Sequence, residues 1–228
     1  TTILSAMKKH SSNANVQHFG CGALGNLTIN DINQVTIAAA GSIARILSAM
    51  ENHSSYANVQ NYGCLALGNL AVNDKNQVVI AAAKGITTIL SAMKNHSFNT
   101  NVQHYGCEPL GSLAVNDENK VEIAAAGGII IILSAMKNHS SNANVQHYGC
   151  GALWNLAVND NNKVVIAAEE GITMILLAMK KHPSNAFVQH YGCAALWTLS
   201  VNDNNQITVA KSEGITLILS AMKNHSSN

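Results

Sequence analysis

Charged residues are scarce in this 228-residue chain, which is 11% Asp, Glu, Lys and Arg and has a formal net charge of +1. Its 13 Lys and Arg residues are scattered and form no basic run. Because a nucleic-acid-binding surface needs clustered cations, the sequence argues against a nucleic-acid partner.

Long apolar runs are missing as well. Runs such as Ile129–Leu133 are far shorter than the roughly 18 residues that a transmembrane helix needs. The sequence therefore predicts no membrane span, and no signal peptide is recognisable at its start.

Cysteine is limited to five residues, and these share one spacing of 43 positions: Cys21, Cys64, Cys107, Cys150 and Cys193. A fixed period without insertions is the signature of a stacked repeat array. Equivalent positions in neighbouring units should lie about 8–10 Å apart, beyond the roughly 7 Å Cα separation that a disulfide tolerates. We therefore predict buried, reduced thiols and a cytoplasmic or nuclear protein.

The same period organises the whole chain as one elongated, all-α domain over residues 1–228. Residues 1–13 match the end of a unit, and five full units follow: 14–56, 57–99, 100–142, 143–185 and 186–228. Apolar residues recur at spacings of three and four, which predicts three helical segments in each unit.

Three sequence signals bear on where these helices begin, end and bend. Asp31, Asp74 and Asp203 each precede a Gln by three residues, which predicts capping boxes at the start of the second segment. A glycine should break the chain after that segment, at Gly41, Gly85, Gly128, Gly171 and Gly214. Pro109 lies inside the first segment of the third unit and predicts a kink with a local change in curvature.

The run Gly149–Ile166, GCGALWNLAVNDNNKVVI, followed by Glu170-Gly171-Ile172 and an apolar helix, resembles an armadillo repeat. The similarity covers essentially the whole chain. The resemblance implies a right-handed α-solenoid whose long helices line a concave groove. In the family these are the third helices of each repeat, and here they correspond to the first segment, which carries the cysteine. It further implies that the groove binds an extended segment of a partner protein, with an Asn on each lining helix holding the partner's main chain.

A carboxamide suits that role because it supplies a hydrogen-bond donor and an acceptor together. The matching positions form an interrupted ladder of Asn26, Asn69, Ser112, Asn155 and Thr198. Helical spacing places two further rows on the same face. Seven residues earlier are Phe19, Tyr62, Tyr105, Tyr148 and Tyr191, and four residues later are Asn30, Asn73, Asn116, Asn159 and Asn202.

These rows allow different interpretations. The tyrosines are as consistent with packing between units as with peptide binding, whereas the second Asn row is expected to cap helices. Trp154 and Trp197 replace glycines next to the ladder and do not recur in every unit, which favours binding.

One position departs from many armadillo peptide binders, which carry Trp four residues before the ladder Asn. Here that position is occupied by Gly22, Leu65, Glu108, Gly151 and Ala194. Glu108 is the only charge on the predicted groove face, which argues against recognition of strongly basic targeting signals.

Ten histidines fall into two rows, six at the ends of the third segments, where they suit the helix dipole, and four next to the aromatic row. Equivalent histidines in neighbouring units are separated by a helix-packing distance and cannot share one zinc ion. Cys107 and His104 have no evident third catalytic group. We therefore expect no metal, no cofactor and no enzymatic activity. The alternative to a peptide-binding scaffold is a structural spacer, or a rod that associates head to tail through its uncapped ends.

Overall fold

The computed structural model describes residues 2–225, and within this range it has sixteen helices and no strands. Three helix classes alternate. The long helices are α2 (Ala14–Leu27), α5 (Ala57–Leu70), α8 (Thr100–Leu113), α11 (Ala143–Leu156) and α14 (Ala186–Leu199). The short helices are α3 (Asp31–Ala39), α6 (Asp74–Ala82), α9 (Asp117–Ala125), α12 (Asp160–Ala168) and α15 (Asp203–Lys211). The medium helices are α4 (Ser42–Asn52), α7 (Gly85–Asn95), α10 (Gly128–Asn138), α13 (Gly171–Lys181) and α16 (Gly214–Asn224), and α1 (Thr2–Lys9) precedes the first long helix.

Each short helix begins at an asparagine N-cap. Asn73 Oδ1, for example, accepts hydrogen bonds from the main-chain N–H groups of Lys75 (3.1 Å) and Asn76 (3.3 Å). The capping role expected for this Asn row is confirmed. The predicted capping box is wrong, because the N-cap is Asn73, Asp74 is the first helical residue, and Gln77 donates to the Ala71 carbonyl at 3.0 Å.

The chain breaks between short and medium helices at a residue in the left-handed conformation. In the first unit this is Gly41, with φ at 83°, as expected. In the other four units it is the residue before the predicted glycine: Lys84, Gly127, Glu170 and Glu213. Those predictions are wrong, and the glycines serve a close approach instead. A Cβ placed on Gly128 would lie 2.7 Å from the main-chain oxygen of Ile123.

Buried glutamines join each long helix to the medium helix before it. Gln146 Nε2 donates to the carbonyls of Met136 (2.9 Å) and His139 (3.1 Å), at the C-terminal end of α10. The same pair of bonds is made by Gln17, Gln60, Gln103 and Gln189. These side chains satisfy helix-end carbonyls that have no partner within the helix.

The histidines that end the medium helices connect neighbouring units, a role beyond the dipole interaction expected from sequence. His139 Nε2 donates to the Ser97 carbonyl at 2.8 Å. Equivalent bonds run from His53, His96, His182 and His225 to the residue 42 positions earlier. Because a carbonyl only accepts, the proton in each ring is on Nε2.

The cysteines lie inside the long-helix layer. Cys21, Cys64, Cys107 and Cys150 are buried, as predicted, and Cys193 is half-buried. Burial raises the pKa of the Cys107 thiol to about 12, so this group stays protonated and unreactive at neutral pH.

Helix α8 continues through Pro109 and has the same 14-residue length as the other long helices. The proline ring lies over Gly68 of the preceding unit, where an added Cβ would be 3.5 Å from its Cδ. The helix is therefore not interrupted, and the kink itself stays a prediction.

None of the helices in residues 2–225 has the length and apolar character of a membrane span. The consecutive helices α9 and α10 reach both criteria only as a pair that is bent by 71°.

Candidate functional site

The long helices form the inner layer of the stack. Neighbouring long helices pack against one another far more extensively than neighbouring short or medium helices do. The layer whose helices lie closest together is the inner side of a curved array, so the faces of α2, α5, α8, α11 and α14 line the concave groove.

The ladder residues divide into two kinds. Asn69 Nδ2 donates to the Gly25 carbonyl at 2.8 Å, and Asn155 Nδ2 donates to the Gly111 carbonyl at 2.9 Å. Both asparagines are half-buried and bridge consecutive long helices. Each bond uses one amide hydrogen, which leaves the side-chain oxygen and the second hydrogen for another partner.

The remaining ladder positions make no such bridge. Ser112 and Thr198 donate to carbonyls of their own helices, those of Glu108 (3.4 Å) and Ala194 (3.2 Å). Asn26, in the first long helix, is exposed. The structure thus singles out Asn69 and Asn155, two units apart, as the oriented carboxamides of the groove.

The tyrosine row stacks on a row of histidines from the preceding unit. The ring centroids of His104 and Tyr148 are 4.9 Å apart, and those of His147 and Tyr191 are also 4.9 Å apart. Each histidine also lies against the tyrosine that follows it in sequence, as in His147 and Tyr148 at 4.2 Å. A continuous column of rings therefore runs from Tyr105 to Tyr191 and seals the seams between units.

The column is interrupted in the second unit, where Asn61 takes the histidine position. Its side chain is 8% exposed, and its Oδ1 has no hydrogen-bond partner among the described residues. Tyr62 still lies against His18 of the first unit, with ring centroids 4.7 Å apart and the ring planes tilted by 32°. Phe19, in the first unit, is 69% exposed.

The two tryptophans lie in different surroundings. Trp154 is half-buried, and its ring centroid is 5.9 Å from that of Tyr191. Trp197 is 73% exposed. Only Trp154 is therefore built into a defined cavity of the groove.

That cavity, here called the Glu108 cleft, lies between the third and fourth units and has a volume of about 240 Å³. Its walls include five predicted site residues: Ser112, Tyr148, Trp154, Asn155 and Tyr191. The rest of the lining, which was not among the predicted site residues, is Glu108, Gly111, Val115, His147, Gly151 and Ala152. A sequence signal for His147 existed, because a histidine precedes the residue of the aromatic row in four of the five units.

The electrostatics of the cleft are set by one carboxyl group. Burial raises the pKa of Glu108 above its ordinary value, while the nearby Tyr148 hydroxyl acts in the opposite direction by hydrogen bonding. The pKa of Tyr148 is raised to about 12, mainly by burial and then by the charge of Glu108. The phenol is therefore neutral, and it can donate to the carboxylate at neutral pH.

Because the column of rings contains partly buried histidines, we expect the protein to lose stability in acid. Burial, and then the charge of His147, lower the pKa of His104 to about 4. Burial, and then the charge of His190, lower the pKa of His147. An unfolded histidine titrates near 6.5. From about pH 6.5 down to 4, the unfolded chain therefore takes up protons that the folded chain resists, and the free energy of unfolding falls with pH.

We expect His104 to contribute about 1–2 kcal/mol to this loss, after allowance for its partial exposure to solvent. Urea denaturation at pH 7 and pH 4.5 measures the change. A His104→Asn/His147→Asn variant, which copies the native Asn61, should lose less stability over the same interval. An identical pH dependence in the variant and the native chain would show that the column is not responsible.

Within residues 2–225, no three His, Cys, Asp or Glu side chains converge as a metal site would require. The histidines next to the tyrosines are instead used for stacking and those at the helix ends for hydrogen bonds.

Comparison with solved structures shows the fold. An engineered protein solved by the Northeast Structural Genomics Consortium matches with a TM-score of 0.83 and 20% identity, over 100% of this chain and 89% of that chain. A second engineered protein from the consortium matches with a TM-score of 0.82 and 20% identity, over 97% of this chain and 56% of that one. The third is a chain from a structure concerning a phosphorylation switch in the interaction between cadherin and beta-catenin, with a TM-score of 0.67 and 18% identity, over 99% of this chain and 48% of that one.

These likenesses show an all-helical α-solenoid, and this chain spans about half the length of the second and third matches. Comparison with curated protein sequences gives no match. A family model described as LRRK2 ARM repeat matches residues 43–228, which confirms the resemblance to armadillo repeats, and the chain belongs to this family.

Proposed function

We propose that the protein is a non-enzymatic scaffold whose concave groove binds an extended segment of a partner protein. The observation that carries the proposal is the pair of oriented carboxamides, Asn69 and Asn155, each held by a carbonyl of the preceding long helix. A carboxamide fixed in this way can pair with both the N–H and the C=O groups of an extended main chain.

The surroundings of the ladder support the same function. The solved structure concerning cadherin and beta-catenin shares this fold, and the family of the chain is an armadillo repeat, a scaffold typical of protein interaction. Trp154, Trp197 and the exposed edges of Tyr62, Tyr105, Tyr148 and Tyr191 would supply apolar contacts to the segment's side chains.

We also propose a cytoplasmic or nuclear setting. Four of the five thiols are buried and unpaired in disulfides, which suits a reducing compartment.

Selection from a random library of extended peptides tests the groove. We expect an Asn69→Ala/Asn155→Ala variant to bind the selected peptides about 30–100-fold more weakly, because up to four main-chain hydrogen bonds of roughly 0.5–1.5 kcal/mol each are lost. Asn26→Ala is the matched control, since Asn26 makes no bridge, and it should change affinity less than about threefold.

Two measurements accompany the titration. Thermal denaturation establishes that the double variant is folded, because its substitutions also remove two bonds between units. Sedimentation velocity over a concentration series tests the alternative of a spacer or self-associating rod. If the protein associates end to end and no peptide depends on Asn69 and Asn155, the self-associating rod replaces the peptide-binding groove as the explanation.

A further inference from the structure

Glu108 is the only charged residue in the five long helices. It is half-buried, and within residues 2–225 its carboxylate forms no salt bridge. A carboxylate withdrawn from water without a cationic partner costs free energy, so its position calls for an explanation.

The fold does not require a carboxylate at this position. The equivalent residues in the other units are Gly22, Leu65, Gly151 and Ala194, and the long helices there have the same length. The Glu108 side chain does cover Gly68, where an added Cβ would lie 3.5 Å from its Cγ. An uncharged side chain of the same shape would make that contact equally well.

The rest of the cleft complements a cation. Tyr148, Trp154 and Tyr191 line it together with Glu108, and the faces of such rings attract Lys and Arg side chains. Its volume of about 240 Å³ is below the roughly 300–1,000 Å³ of sites for drug-sized molecules, which suits one side chain rather than a whole ligand. Asn155 in the same wall can hold the main chain beside that side chain.

We propose that the Glu108 cleft is a subsite for one lysine or arginine side chain of the extended segment that the groove binds. The inference rests on the proposed function and narrows its partner class. Because the other long helices present no charge, the segment carries a single basic residue with uncharged neighbours, not a basic run.

Peptides that differ only at one central residue test the subsite. The starting peptide is one selected from the library whose affinity for the groove depends on Asn69 and Asn155. Four versions of it are made, with Lys, Arg, Met or Glu as the central residue. Dissociation constants are measured by fluorescence anisotropy at low and high salt. We expect the Lys and Arg peptides to bind at least about tenfold more tightly than the Met peptide, the Glu peptide to bind most weakly, and the preference to shrink as salt rises.

Glu108→Gln should abolish the preference for Lys and Arg and leave the affinity of the Met peptide unchanged. Glu122→Gln is the matched control, because it removes the same charge from an exposed position on α9, and it should keep the full preference. Trp154→Gly copies the native Gly25, Gly68 and Gly111, so it is compatible with the fold, and it should weaken binding of the Lys and Arg peptides.

The outcomes distinguish a failure of the cation subsite from a failure of the peptide-binding groove. If all four peptides bind alike and still depend on Asn69 and Asn155, the cation subsite is wrong and the peptide groove survives. An equal preference for the Lys and Arg peptides over the Met peptide in the native protein and in Glu108→Gln overturns the subsite as well. If no peptide depends on the two asparagines, both proposals fall.

Discussion

Replacing Gln146 with Met should lower the free energy of unfolding by about 2 kcal/mol. The side chain is 2% exposed, and its Nε2 donates to the carbonyls of Met136 and His139 at the C-terminal end of α10. Methionine fills a similar volume but has no N–H donor. The Met136 carbonyl would then be left without a partner at a helix end, at roughly 1–3 kcal/mol for a fully buried group. The His139 carbonyl would keep the bond that it accepts from the Asn142 N–H at 2.9 Å.

Gln206→Met is the matched control for this substitution. Gln206 is exposed and makes one bond, from Nε2 to the Ser200 carbonyl at 2.9 Å. Water can replace that bond, so we expect a change within about 0.5 kcal/mol. Urea denaturation followed by circular dichroism measures both variants. A loss at Gln146 no larger than that at Gln206 would mean that water reaches the α10 carbonyls, and the buried glutamines would then not be structural joints.

The fold was predictable because the same sequence pattern recurs in every unit. One 43-residue period fixes the number and order of the helices, since each unit carries the same apolar spacing and can bury its face only against its neighbours. The errors lie at helix ends, where the outcome depends on contacts between segments. Gly128, for example, resembles a residue chosen for its backbone conformation, yet the left-handed residue is Gly127 and Gly128 makes room for Ile123.

The candidate site was predictable only in outline. A spacing of seven residues places the ladder and the tyrosines on one helical face, because that follows from helix geometry alone. Which asparagines are oriented depends on the approach of residues 44 positions apart, as in Asn69 and Gly25. The stacking of His104 on Tyr148 likewise depends on how two units pack, so a histidine row next to an aromatic row could not be distinguished from a surface feature.

The contact between a glycine and a methionine at each unit boundary leads to a second large effect on stability. A Cβ placed on Gly149 would lie 2.5 Å from Met136 Cγ and 2.8 Å from its Sδ, and Met136 is buried. Alanine is ordinarily favoured over glycine inside a helix by about 1 kcal/mol. The overlap should outweigh that gain, because overpacking a core costs about 1–3 kcal/mol, and we expect Gly149→Ala to destabilise the protein by about 1–2 kcal/mol.

The same helix supplies the control for this prediction. At Gly151 an added Cβ would meet only Tyr191, at an ordinary 3.4 Å, and the equivalent residue of the next unit is Ala194. Gly151→Ala should therefore raise the free energy of unfolding by up to about 1 kcal/mol, so two Gly→Ala substitutions in one helix have opposite signs. Urea denaturation of the two variants gives the comparison.

A double-mutant cycle shows whether the methionine is the cause. Met136→Ala alone should cost about 2–5 kcal/mol by leaving a cavity, and less in the Gly149→Ala background, where the new methyl group occupies part of that space. Additive effects, or a Gly149→Ala variant as stable as Gly151→Ala, would contradict the argument. The same contact joins Gly20 with Met7, Gly63 with Met50, Gly106 with Met93 and Gly192 with Met179. Because an array of this kind is stabilised mainly by the contacts between neighbouring units, Gly106→Ala should reproduce the result one boundary earlier.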